Sequence, residues 1–217
     1  MNEFIWTFIQ PFIPLTIALF VLAGLLWLFF HHGIDKLRHP HEWRDKGSSG
    51  EQMVYLMLTK KFHIPEKQIL RNLHIPKASG GTTEIDLLVV STRGLLVFEC
   101  KNYAGNIYGD AKRKQWVQYL GGKKSYFYNP FMQNRGHVKH LRAYLAGQGI
   151  PVDNLPIIPM VATTTNGNWK VRNLGPDDYL LGYNCKLKKI LAELPVSEVA
   201  AGSLKEVLKL LRKLDRR

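Results

Sequence analysis

Cysteine is scarce: Cys100 and Cys185 are the only two in 217 residues. That excludes a disulfide scaffold and a cysteine-rich zinc module. Charge is almost missing from the first 30 residues, where Glu3 stands alone, and no Lys or Arg precedes His31. Acidic residues are sparse thereafter: residues 31–217 hold 30 Lys and Arg against 16 Asp and Glu, a net +14. No internal repeat or low-complexity tract occurs. With 46% hydrophobic and 11% aromatic residues, the composition is globular and not that of a disordered chain. The sequence is thus a neutral, apolar head on a basic body of about 170 residues, enough for one domain with its own core. A basic body points to a polyanionic partner, either nucleic acid or an anionic membrane face.

The head, residues 1–31, reads as a transmembrane anchor that contacts the lipid bilayer through residues 4–30. From Phe4 to Phe30 run 27 residues without a charge, with Thr7, Gln10 and Thr16 the only polar ones. A span needs ~20 apolar residues. Pro11 and Pro14 interrupt the first half, so the helix either begins near Pro14 or runs through with a kink. Trp6 and Trp27 sit where interfacial anchors sit. A cleaved signal peptide would need a basic start and an A-x-A site, and neither is present. Lys36, Arg38, Arg44 and Lys46 follow the span. The excess of cations on that side predicts a single-pass bacterial inner- or plasma-membrane protein, N-terminus outside and body in the cytoplasm. That reducing compartment suits unpaired cysteines. Residues 32–47 form a basic, His-rich linker. His31, His32, His39 and His41 show no metal-ligand spacing on a regular element and fit a segment lying against headgroups.

The body, residues 48–217, reads as an α/β fold. Ser48-Ser49-Gly50-Glu51 opens a helix ahead of the apolar run Met53–Leu58. Ile69–Leu73, Thr83–Val90 and Leu95–Tyr103 read as strands, with Ser91-Thr92-Arg93-Gly94 turning between the last two; Gly105–Gly109 extends or bends the third. A helix starts at Asn129-Pro130 and runs to about Leu145. Ile157–Ala162 is a strand whose Pro159 suggests an edge or bulge. The C-terminal part, 185–217, carries two amphipathic stripes, Leu187/Ile190/Leu191/Leu194 and Leu204/Val207/Leu208/Leu211, the second with Ser203 and Glu206 as a capping box.

The chemistry concentrates on the two middle strands. Asp86 lies in the first; Glu99 and Lys101 share one face of the second, and Cys100 points away. Ionisable groups among so many aliphatic neighbours are costly unless paired or bound to a metal. If Ser91–Gly94 is the whole loop, Val90 pairs with Leu95, Asp86 faces Glu99 and Glu84 faces Lys101. Facing carboxylates repel, and a divalent cation between them would relieve that. If the loop has three residues and Gly94 is a bulge, Asp86 faces Cys100 instead. A purely structural alternative is a Glu84–Lys101 ion pair at a solvated sheet end. Carboxylates with an adjacent Lys suit phosphodiester hydrolysis through a hard cation such as Mg²⁺, with Lys positioning the attacking water or neutralising transition-state charge.

Taken in order, these words resemble the nuclease-related (NERD) branch of the PD-(D/E)xK, restriction-endonuclease-like nucleases: Gly50-Glu51; Glu84-Ile85-Asp86-Leu87-Leu88-Val89-Val90; Gly94 to Gly105 with Glu99-Cys100-Lys101; Trp116; Asn129-Pro130, Gln133, His137 and Leu141. The motif-bearing part is 50–145. Ile85 stands where the superfamily name has Pro, and Cys100 where Thr is common. The resemblance implies a restriction-endonuclease-like α/β core, a mixed central sheet flanked by helices, here preceded by one transmembrane helix. It implies Asp86, Glu99 and Glu51 as metal ligands for Mg²⁺, with Mn²⁺ a possible substitute, Lys101 as the catalytic lysine, and Gln133 and His137 on one helix face toward the site. The expected partner is nucleic acid, DNA sooner than RNA; protein partners are left open. Lys112, Arg113 and Lys114, and Lys123 and Lys124 beside Tyr126, Phe127 and Tyr128, are the candidate phosphate contacts. The competing expectation is a non-catalytic module on the same fold that tethers nucleic acid or protein to the membrane. A hydrolase of small phosphate esters would have no use for so many dispersed cations.

Overall fold

Between residues 69 and 101 the chain is dominated by β-branched and aliphatic residues, and these form three strands: β1 (Ile69–Pro76), β2 (Thr82–Ser91) and β3 (Gly94–Lys101). The structure, a computed structural model, describes residues 20–24, 27, 46–163, 167–182 and 187–215. The chain divides into two compact units, Met1–Asp45 and Lys46–Arg217. In the first, residues 20–24 are helical, with Phe20, Val21 and Leu22 exposed. Most of the expected span and of the His-rich linker lies outside the described residues, as do Cys185, Arg216 and Arg217. Among the described residues no helix is long and apolar enough to cross a membrane.

The second unit is a mixed α/β structure. Helix α1 (Lys46–Leu56) begins two residues ahead of the expected Ser48 and runs into a π-helical turn at Met57–Lys61. After β3 come β4 (Gly105–Asp110), β5 (Gln115–Leu120), β6 (Lys123–Tyr128), α2 (Pro130–Gly147), β7 (Ile157–Thr163), β8 (Gly167–Arg172), β9 (Tyr179–Leu181), α3 (Leu187–Glu193) and α4 (Glu198–Leu211). The main sheet has the order β1-β2-β3-β7-β9, and a second sheet the order β6-β5-β4-β8. β7 is therefore an interior strand, contrary to the edge expected from Pro159. β9 pairs only with Met160–Ala162, so Pro159 lies at an open margin on that side.

Each face of the main sheet buries its own apolar layer. On one, Leu88, Val90, Leu95 and Val97 meet Leu141 and Leu145 of α2 and Val207, Leu208 and Leu211 of α4. On the other, Leu87, Val89, Leu96 and Phe98 meet Val54, Met57 and Leu58 of the first helical segment and Leu187 of α3. The two C-terminal stripes are thus packing surfaces. The cap of α4 is not where the sequence suggested: Ser197 accepts from the Ala200 N–H, and Ser203 is buried one turn inside the helix.

The β2–β3 hairpin follows the first of the two registers. Val90 pairs with Leu95 and Ser91 with Gly94, so the loop proper is Thr92-Arg93. The Ser91 hydroxyl closes it, donating to the Gly94 carbonyl and accepting from the Arg93 N–H. Gly94 has φ +122°, and a Cβ there would lie 2.4 Å from the Pro156 carbonyl oxygen. Both the left-handed backbone and the contact exclude a side chain. Gly94→Ala is expected to lower stability by at least about 2 kcal/mol, read from urea unfolding.

The second sheet continues the first. β3 and β7 run parallel with Lys101 opposite Thr163; β4 and β8 run parallel in the same register, with Gly105 opposite Gly167. The expected extension or bend at Gly105 is a bend: φ is +79°, and a Cβ would lie 2.2 Å from the Tyr119 carbonyl oxygen. The inner face of this sheet is an aromatic layer in which Ile107, Trp116, Phe127 and Trp169 pack on Phe131 of α2.

Candidate active site

The hairpin ladder stops at Leu87–Phe98. Beyond it β2 stays with β1 as far as Thr82, and β3 stays with β7 as far as Lys101. The strands fork, and Asp86, Glu99 and Lys101 stand at the fork. Asp86 caps it: its Oδ2 accepts the Cys100 N–H at 2.7 Å, in place of a ladder carbonyl. A second irregularity falls at the same level. Asn72, which the register would set opposite Asp86, is left-handed (φ +49°) and is skipped in the pairing. Leu87 and Val89 face one apolar layer while Ile85 faces the other, so the alternation of β2 reverses across Asp86.

Glu99 is 2% exposed. Its Oε1 is 2.6 Å from the Lys101 Nζ, and its Oε2 is 3.1 Å from the His137 Nε2. The other His137 nitrogen, Nδ1, is 2.7 Å from the Thr83 hydroxyl. Thr83, His137, Glu99 and Lys101 therefore form one continuous polar chain across the fork. The Glu84–Lys101 pair is absent: Glu84 sits beside His74, and Lys101 is on Glu99.

Burial pushes the Asp86 carboxyl up to about 8, reinforced by the negative charge of Glu99 and of Glu51 and only partly opposed by the Cys100 N–H and Lys101. Burial alone would lower the Lys101 pKa; the charge and hydrogen bond of Glu99 outweigh it and raise the value above that of an ordinary lysine. Lys101 is thus a held cation. Burial and the same three acids lift the Cys100 thiol well above its usual range, so Cys100 contributes its backbone N–H and no thiolate.

Helix α1 brings Glu51 within electrostatic range because Gly50 is small: a Cβ there would lie 2.7 Å from the Asn102 Cβ, one residue past Lys101. Helix α2 is fixed at its start by the fully buried Asn129. Its side chain caps the Phe131 and Met132 N–H groups and donates to the Ala111 and Arg113 carbonyls. Two turns on, His137 reaches Glu99. Gln133 does not join it. The buried stripe of α2 is Phe131, Asn134, His137, Leu141 and Leu145, and Gln133 lies at its half-exposed margin with no side-chain hydrogen bond among the described residues. Gln133 keeps its i, i+4 relation to His137, one step further out from the buried stripe. Asn134 takes the inward place and donates to the Val97 and Met160 carbonyls, clamping α2 to β3 and β7. Sequence reasoning missed Asn134 and Thr83; the 3–4 spacing of Phe131, Asn134 and His137 held the signal for the first, and nothing marked the second.

Carboxylate oxygens of Asp86, Glu99 and Glu51 are the donors a hard divalent cation selects, and such an ion would offset both the burial and the like charges that raise the Asp86 pKa. The fit is to the residue types. Among the described residues no three metal-ligating side chains converge to hold an ion as they stand, and both Glu99 oxygens are engaged. The expected phosphate contacts lie elsewhere: Lys112, Arg113 and Lys114 in the exposed β4–β5 turn, and Lys123 and Lys124 on β6.

The profile of a family described as Nuclease-related domain matches residues 46–164. An uncharacterised protein of Bacillus anthracis is 36% identical over 148 residues, which cover 68% of this chain and 66%, just under two thirds, of that protein. No solved structure matches the chain.

Proposed function

We propose a phosphodiesterase reading for this chain, which belongs to the nuclease-related domain (NERD) family: the fork on a restriction-endonuclease-like core hydrolyses nucleic acid, DNA before RNA, with Mg²⁺ or Mn²⁺ held by Asp86, Glu99 and Glu51. The observation that carries it is the fork itself, where Asp86, raised to about 8 by burial and then by the charge of Glu99 and Glu51, stands with Glu99 beside a lysine held cationic. A bound cation would polarise the phosphate and acidify a water. The protein's own share is positional. Asp86 is oriented by the Cys100 N–H, and His137, fixed by Thr83, orients Glu99. Lys101 supplies positive charge to the phosphorane-like transition state; its raised pKa supports this role over that of a general base.

Lys101→Ala in the full chain, kept in mild detergent, tests the reading. Plasmid, linear and single-stranded DNA and RNA are incubated with Mg²⁺, Mn²⁺ or EDTA. Metal-dependent cleavage is expected, reduced about 10²–10³-fold in the variant. Undiminished cleavage by the variant, or none by either protein, overturns it. One observation favours a second reading, a binding module without catalysis: both Glu99 oxygens already have partners. It predicts nucleic-acid binding indifferent to Asp86 and Glu99. In either case the body is held in the cytoplasm by the apolar head, a placement supported by the exposed apolar residues at 20–22 and the cations that follow the head.

A further inference from the structure

We propose that the outward face of the second sheet, β6-β5-β4-β8, is a stacking platform for single-stranded nucleic acid. Strand alternation builds it. While Ile107, Trp116, Phe127 and Trp169 turn inward, Tyr108, Tyr119, Tyr126 and Tyr128 turn out, 42%, 42%, 60% and 50% exposed. The register sets them in rows: Lys170, Tyr108, Val117 and Tyr126 across one level, then Tyr119 beside Lys124 at the next. The Tyr108 and Tyr119 rings stand edge to face, 5.7 Å apart. Lys170 lies 5.4 Å from the Tyr108 ring, and Lys124 lies 5.8 Å from that of Tyr119 and 5.0 Å from that of Tyr126.

Four exposed tyrosines on one sheet face are not needed for folding, since the aromatic core lies on the opposite face. Their π-faces suit unpaired bases, and the interleaved lysines suit the phosphates between them. A duplex keeps its bases stacked and offers no π-face to such a surface. At the edge of the platform a cavity of about 520 Å³ is walled by Tyr108, Lys170, Arg113 and Arg172. Asp110, the one acid there, accepts from the Lys112 N–H and the Asn173 amide. The complementarity is therefore to an anion carrying flat, stackable groups. Tyr108 lies seven positions after Lys101, so the platform begins at most ~25 Å from the fork.

The proposal rests on the phosphodiesterase reading for what happens to the bound strand, and stands apart from it for binding. The test is fluorescence anisotropy with the full-length chain in detergent, in EDTA so that nothing is cut. The probe is a labelled oligo(dT) of about 15 nucleotides, with the matching duplex and anionic vesicles as further arms. Single strand should bind at least ~10-fold tighter than duplex. Tyr108→Ala/Tyr126→Ala should weaken it at least ~30-fold, two stacking contacts' worth, without changing the salt slope. Tyr108→Phe/Tyr126→Phe should bind like wild type. Lys124→Ala/Lys170→Ala should flatten the slope of log K against log salt by about 1.4. Binding unaltered by the alanine pair, preference for duplex, or capture by vesicles in place of the oligonucleotide overturns the platform. Lys101→Ala separates the two readings: it should bind the probe normally, so lost cleavage with intact binding tells on the fork alone, and lost binding in the tyrosine pair on the platform alone.

Discussion

Asp86→Asn is expected to stabilise the metal-free protein at pH 8 and to abolish metal-dependent cleavage. The neutral amide keeps an oxygen for the Cys100 N–H and removes a charge that burial, Glu99 and Glu51 all oppose. The sign follows from linkage. With Asp86 raised to about 8 in the folded chain from 3.8, the native state holds a proton that the unfolded state has released throughout that window. Its contribution to stability is full below pH 4 and is lost as pH rises through 8, at up to ~1.4 kcal/mol per pH unit. Urea unfolding in EDTA from pH 4 to 8 should show the variant pulling ahead of wild type as pH rises and the two converging at the acid end. Wild type should gain stability from Mg²⁺ increasingly as pH rises; the variant should gain little. Equal pH dependence in the two proteins would show that Asp86 ionises as an ordinary carboxyl.

Glu99→Gln should act in the opposite sense on stability. Glu99 is almost wholly buried, and both oxygens are engaged, one by Lys101 and one by His137. Removing its charge leaves the half-buried Lys101 without its nearest counter-ion. Breaking such a pair costs about 3–5 kcal/mol; the amide oxygen still accepts one hydrogen bond, which puts the expected loss near 3 kcal/mol. The Lys101 pKa should fall as well, because burial lowers it and its main opponent, Glu99, is gone. Two carboxyls on facing strands thus carry opposite stability signatures, and a denaturation midpoint for each variant distinguishes them. A loss under about 1 kcal/mol for Glu99→Gln would mean that the Lys101 contact contributes little in solution.

The mixed α/β layering and the hairpin were legible because strand periodicity and turn chemistry are local. Ser91 and Gly94 encode the turn, and the aliphatic run on either side encodes the strands. Counting along that register set Asp86 opposite Glu99, one pair beyond the last one the ladder forms, Leu87–Phe98. What counting missed was the interruption: the left-handed Asn72 and the fork beyond Leu87 turn a regular ladder into an open end. Neither leaves a periodic trace. Asn134 was missed for a different reason. Gln133 and His137 satisfy a spacing rule, but Asn134 is what the sheet carbonyls bind. The misplaced α4 cap reflects two serines, Ser197 and Ser203, both eligible as caps; burial of the second decided between them. Pro159 misled because parallel pairing to a short β9 leaves an interior strand with an open margin. Of the outward tyrosines of the second sheet, Tyr126 and Tyr128 were marked beside Lys123 and Lys124, but Tyr108 and Tyr119 were not, since the pairing of Tyr108 with Lys170 depends on a strand far along the chain.

The shared register of β3–β7 and β4–β8 also bears on how the chain folds. Both pairings join residues 62 positions apart. Closing a loop of that length is the main entropic barrier to parallel pairing. Once Leu95 has found Ile157, Gly105 and Gly167 are already aligned, and the second sheet forms without a further search. The bend at Gly105 therefore separates two surfaces in space while leaving them a single event in time.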